Sequence, residues 1–132
     1  SKKSKALKKI DRPNAYIIKK NQTEIIEKLD INGIKTIRIE NDTTLAVGSY
    51  TVTALKNDFK IYEKMKMQDV DVRIDYSDIQ FSKGDFILPM KQKKSNLIAE
   101  LMEPEAPNSY VSFGLIKTGI NKILPIYRIR EL

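Results

Sequence analysis

Four aspartates within ten residues, Asp69, Asp71, Asp75 and Asp78, form the densest carboxylate group in the chain. Clustered oxygens are what a hard cation such as calcium takes, yet the spacing lacks the glycine and terminal glutamate of an EF-hand loop. Asp69, Asp71 and Asp75 instead alternate with Val70, Val72, Ile74 and Tyr76, the pattern of a strand with one wet face. Solvent-facing carboxylates account for them without a metal. Ser95, preceded by Lys91, Lys93 and Lys94, evokes a serine nucleophile activated by lysine, but the Ser-x-x-Lys spacing of that chemistry does not begin there. Helix capping explains Ser95 better. The glycines at 33, 48, 84, 114 and 119 are too scattered to cradle a phosphate. Tyr50, Tyr62, Tyr76, Tyr110, Phe113 and Tyr127 are able to stack on bases or sugars, but none sits among clustered basic residues, and those in strands fall where core residues belong.

The chain contains no histidine and no cysteine. Zinc sites are built mainly from imidazole and thiolate, and acid-base and nucleophilic catalysis lean on the same side chains. No residue is therefore assigned as catalytic or as a metal ligand, and no cofactor is expected in the chain itself. Disulfides are excluded as well.

A net charge of +7 invites a nucleic-acid reading, and its distribution qualifies that reading. Residues 1–20 hold eight Lys or Arg against the single Asp11, whereas the remaining residues hold sixteen of each sign. The excess belongs to the entry segment. Lys2, Lys3, Lys5, Lys8, Lys9 and Arg12 are able to grip a polyanion without specificity; a solvated tail or linker explains the same run. Residues 1–11 are read as a basic linker or arm and 12–132 as a single α+β domain. The longest apolar runs fall far short of the roughly 20 residues of a membrane span, and no apolar stretch follows the basic start as it would in a signal peptide.

The elements that would carry these residues follow from patterning. Arg12-Pro13 opens an extended stretch, and Ala15 to Lys20 reads as a strand. Asn21 with Glu24 predicts a capped helix carrying Ile25, Ile26 and Leu29, stopped by Gly33. A strand is predicted over 34–40. Between 44 and 55 the alternation changes phase, from Leu45 and Val47 to Tyr50, Val52 and Ala54, which predicts a β-bulge or bend near Gly48. Lys56-Asn57-Asp58 reads as a turn, and 59–67 shows no clean period. Strands follow at 70–76 and near 79–81, then a hairpin-like turn at Ser82 to Asp85 and a strand at 86–88. Ser95 or Asn96 caps a second helix with Leu97, Ile98, Leu101 and Met102 inward, ended by Pro104. Strands at 110–116 and 123–129 complete the chain. The expected class is α+β, with a mixed, largely antiparallel sheet of seven or eight strands and two helices.

Five segments, in order, resemble the C-terminal domain attached to bacterial zinc carboxypeptidases of the carboxypeptidase A-like class. They are Arg12-Pro13-Asn14-Ala15-Tyr16-Ile17-Ile18; Ile31-Asn32-Gly33-Ile34-Lys35; Lys83-Gly84-Asp85-Phe86-Ile87-Leu88-Pro89; Leu101 to Ser109; and Leu124-Pro125-Ile126-Tyr127-Arg128-Ile129. The resemblance implies a non-catalytic accessory domain whose partner is the upstream catalytic domain of the same polypeptide, where the zinc is held. No residue of this chain matches a functional position of that peptidase. The domain would pack on the catalytic domain or assist the binding of a peptide or cell-wall substrate, and the protein would be exported or cell-surface. An apolar patch formed partly by 104–116 is the expected docking surface. The alternative is a free-standing module that binds a polyanion through the basic arm.

Overall fold

The computed structural model describes residues 11–60 and 65–130. The expected α+β class holds, with a correction to the sheet. Among the described residues, two helices pack on one fully antiparallel sheet of six strands, not seven or eight: β1 (Ala15–Ile18), β2 (Ile37–Arg38), β3 (Thr43–Lys60), β4 (Met65–Phe81), β5 (Phe86–Pro89) and β6 (Ile123–Ile129), in the order β2-β5-β1-β6-β3-β4. The helices are α1 (Thr23–Ile31) and α2 (Ser95–Met102).

The short β1 sits inside the sheet, and all four of its residues are buried. Its alternation feeds two cores, as strand geometry requires. Tyr16 and Ile18 join Tyr50, Val52, Leu88, Leu124 and Ile126 in a large core with Ile25 and Leu29 of α1 and Ile98 and Met102 of α2. Ala15 and Ile17 join Val47, Phe81 and Ile129 in a smaller core on the opposite face. Burying each aliphatic side chain contributes roughly 1.5–3 kcal/mol, so the helices are held by their apolar stripes. The expected caps do not form. The N-caps are Gln22 and Lys94, and neither makes a side-chain capping bond. Gly33 does end α1, with a φ of 72° that favours glycine.

The phase change in β3 is real, but its cause is different. Leu45 and Val47 pack in the smaller core while Tyr50 and Val52 pack in the larger one, so the strand stays regular and the buried face switches. Gly48 pairs with Tyr76 without interruption, and the register shifts lie further on. One falls between Val52 and Ala54 against β4. The other falls between Ser49 and Thr51 against β6, opposite Pro125, which has no N–H for a ladder. Gly48 is explained by close approach. A Cβ there would lie 2.9 Å from Arg128 Cγ, 2.9 Å from Tyr76 Cε1 and 3.1 Å from Ile74 Cγ2.

Other expectations are also corrected. The sequence 56–58 is not a turn, because β3 runs through it to Lys60. The stretches at 70–76 and 79–81 are one strand, β4. The turn at 82–85 is tight, with Gly84 at a φ of 96°, but it is no hairpin, since β4 and β5 are not neighbours. Of the strand expected over 34–40, only Ile37–Arg38 forms. The 110–116 strand is replaced by nested turns, because serine hydroxyls compete for the backbone: Ser112 N donates to Ser109 Oγ at 3.0 Å and Ser112 Oγ to the Pro107 carbonyl at 2.9 Å.

Candidate functional site

The polar constellation most deeply set in the fold gathers where α2 ends over the sheet. Glu103 follows α2 and is 6% exposed. Tyr16 from β1 donates its hydroxyl to Glu103 Oε2, and Tyr50 from β3 donates to the same oxygen at 3.1 Å. Arg128 from β6 places Nη2 3.6 Å from that oxygen and also donates to the Asp11 carbonyl. Three strands and a helix end therefore meet at one carboxylate. Burial pushes Glu103 above the usual carboxylate range, against the opposing pull of the Tyr16 bond, Arg128 and the Tyr50 bond. Burial and the nearby Glu103 charge push both phenols far above their ordinary value. Burial alone would lower Arg128, but Tyr50 and Glu103 outweigh it and hold the guanidinium charged. Both phenols are directed inward at a carboxylate already surrounded by protein, while the buried Arg128 Nε has no hydrogen-bond partner among the described residues. The arrangement is a clamp that fixes the segment after α2 to the sheet.

That segment lies against the edge of β4. Gln68 donates from its side-chain amide to the carbonyls of Val111 at 2.8 Å and Ile116 at 2.9 Å, and from its backbone to Ser112 at 2.8 Å. Val72 N donates to Glu105 Oε2 at 2.9 Å. A narrow cleft remains, lined by Gln68, Asp69, Pro104, Glu105, Pro107 and Ser112. The apolar docking patch expected over 104–116 is largely absent, because Tyr110, Val111 and Ile116 are buried and Phe113 alone is an exposed large apolar residue there.

A second buried carboxylate holds the smaller end of the sheet. Asp85 is fully buried and accepts from Lys20 N and Ser82 N, each at 2.9 Å, and from Lys19 Nζ at 3.1 Å. Burial works to raise its pKa, but these bonds prevail and hold it below the usual carboxylate range. Lys19 also lies over the Phe81 ring at 5.4 Å. Asp85 anchors the 82–85 turn.

The residues singled out from sequence are dispersed. Asp71, Asp75 and Asp78 are exposed along β4 and Asp69 is half-buried; Asp75 pairs with Arg73 at 2.9 Å, and no three metal-binding side chains converge among the described residues. Ser95 begins α2 without capping it. Tyr50 and Tyr110 are core residues, as their strand phase suggested for Tyr50, whereas Tyr76 and Phe113 are exposed. Tyr62 lies outside the described residues, as do Lys2, Lys3, Lys5, Lys8 and Lys9. Arg12 is exposed and donates to Asn96 Oδ1 at 2.6 Å. Sequence reasoning missed Glu103, Arg128 and Asp85. A signal existed for one of them: Arg128 continues the Leu124, Ile126 phase of β6, and a cation in an apolar phase requires a buried anion.

No family model matches the chain, and no match is found among solved structures. The chain is 27% identical over 118 residues to Carboxypeptidase 2 of Trichophyton tonsurans, and 27% identical over 119 residues to the proteins of that name from Trichophyton rubrum and Trichophyton equinum. These alignments take in 89–90% of this chain but 22% of each relative, so the chain spans about a fifth of their length. The relatives are fungal and give no support to the bacterial origin that the resemblance implied.

Proposed function

We propose that this chain is a non-catalytic accessory domain of a carboxypeptidase-related polypeptide. The observation that carries the reading is the unequal coverage: nearly all of this chain aligns with a small part of Carboxypeptidase 2. A chain without histidine or cysteine, in which the buried carboxylates of Glu103 and Asp85 are spent on structural bonds, suits an accessory role. In this reading the domain lies C-terminal to a zinc-dependent catalytic domain, packs on it or assists binding of a peptide or cell-wall substrate, and belongs to an exported protein. The Glu103 clamp keeps the segment after α2 in one shape for such a contact.

The coding sequence upstream of Ser1 tests this. A His-x-x-Glu motif with a later histidine is expected, and a start codon immediately before Ser1 would overturn the reading. The alternative, a polyanion grip through the basic arm, predicts binding to heparin that falls steeply with salt and on deletion of residues 1–11. The accessory-domain reading predicts indifference to both.

A further inference from the structure

Arg128 does more than face Glu103. The chain joins the sheet at Asp11 and Arg12, and contacts from β6 and α2 hold it there. Arg128 Nη2 donates to the Asp11 carbonyl, and the same nitrogen lies 3.6 Å from Glu103 Oε2. Arg130 lies 3.7 Å from the Asp11 carboxylate, and Arg12 donates to Asn96 Oδ1 at 2.6 Å. Pro13 is buried, and Asn14 N donates to the Ile129 carbonyl at 2.8 Å. These ties are unequal. The Arg130 and Asp11 side chains are 61% and 88% exposed, and an exposed ion pair contributes about 0–1 kcal/mol. Arg12 and Asn96 are exposed as well. The Arg128 side chain is 5% exposed, and a hydrogen bond from a charged donor is roughly twice as strong as a neutral one. Its Nε already lacks a partner among the described residues, so without the Asp11 carbonyl Nη2 would keep only its 3.6 Å approach to Glu103. Such buried donors are costly to leave unpaired, which makes Arg128 the tie that decides.

We propose that Arg128 couples the point of chain entry at Asp11 to the segment after α2, so that loosening either end loosens the other. One nitrogen serves both ends. If Glu103 drew away, the guanidinium would lose the charge that positions it and would be free to leave the Asp11 carbonyl. A pull on Asp11 would act on Glu103 in return, because coupling between two sites is reciprocal. Glu103 is itself fixed by Tyr16 and Tyr50, and the segment it opens is bound to β4 through Glu105 and Ser112. A contact made on that segment would therefore be felt where residues 1–10 join the domain. The inference does not rest on the carboxypeptidase relation. Within the accessory-domain reading, it would give the preceding polypeptide a fixed direction of approach.

The test is ¹⁵N relaxation of the whole chain, read at the Arg12 amide with the β1 amides as a rigid reference. In the wild type Arg12 is expected to be as ordered as β1, with an order parameter of about 0.85. Arg128→Lys keeps the charge but cannot span both acceptors, and should lower the Arg12 value below about 0.6, the flexible range. Glu103→Gln should lower it by a smaller step, although Glu103 lies at the far side of the guanidinium. Arg130→Ala removes only the exposed pair and should leave it unchanged. Asp85→Asn weakens the fold at the other buried carboxylate and should leave it unchanged as well. An Arg12 amide already flexible in the wild type, or one unmoved by either Arg128→Lys or Glu103→Gln, would overturn the proposal. So would equal loosening by Arg130→Ala or Asp85→Asn, or a loss of order that extends through β1.

Discussion

Replacing Gly48 with alanine tests the packing that links the sheet to the Glu103 clamp. The new methyl would meet Arg128 Cγ and Tyr76 Cε1, each at 2.9 Å, and Ile74 Cγ2 at 3.1 Å. Tyr76 is 53% exposed and has room to swing outward. Arg128 does not, because its guanidinium is tied to the Asp11 carbonyl and faces Glu103. Overpacking costs about 1–3 kcal/mol, and alanine in a strand returns about 0.5–1 kcal/mol relative to glycine. A net loss of about 1–2 kcal/mol is expected. With a urea m-value of about 1–3 kcal/mol/M, the unfolding midpoint should fall by about 0.3–2 M. Gly119→Ala is the control, since a Cβ there meets only Lys122 Cγ at 3.7 Å. Adding Tyr76→Ala to Gly48→Ala should recover part of the loss. A Gly48→Ala protein as stable as the wild type would refute the close-approach account and return Gly48 to an ordinary strand position.

The buried carboxylates give two further expectations. Glu103→Gln turns an amide toward the Tyr16 and Tyr50 hydroxyls and Arg128, and leaving buried polar groups badly paired costs about 1–3 kcal/mol. The folded pKa of Glu103 is raised, so its protonation favours the folded state as pH falls from neutral toward the ordinary carboxylate value, and the deficit of the variant in chemical denaturation should widen over that window. A constant or shrinking deficit would contradict the assigned direction. Asp85→Asn weakens a carboxylate with three donors and should cost about 2–3 kcal/mol at neutral pH. Here the folded pKa is depressed, so the stabilisation is present above the ordinary aspartate value and is lost as pH falls through the lower folded one. The two proteins should converge in strong acid, as read by tryptophan-free far-UV circular dichroism.

Elements whose apolar residues bury one face were legible in sequence. The α1 and α2 stripes, β6 and the alternation of β4 follow from periodicity, and β1 from its aromatic and β-branched composition. Tertiary context decided the remainder. The phase change at Leu45 to Tyr50 looks the same whether a residue is inserted or the buried face switches, and only the second core on the far side of the sheet distinguishes them. The apolar run at 110–116 has strand composition, but Ser109 and Ser112 satisfy its backbone within turns. Lys56-Asn57-Asp58 has turn chemistry, yet each residue pairs with β4. Glu103 escaped notice because its partners, Tyr16, Tyr50 and Arg128, lie 87, 53 and 25 residues away along the chain, and no local spacing announces such a meeting.

The proposed accessory role implies that this chain, on its own, releases no residue from a peptide. The most direct measurement incubates the purified 132-residue chain with N-terminally blocked peptides, with and without added zinc, and follows release of the C-terminal residue by mass spectrometry. The account predicts no release above buffer in either condition. Turnover that persists through repurification and disappears on substitution of Asp69, Glu103 or Glu105 would contradict it.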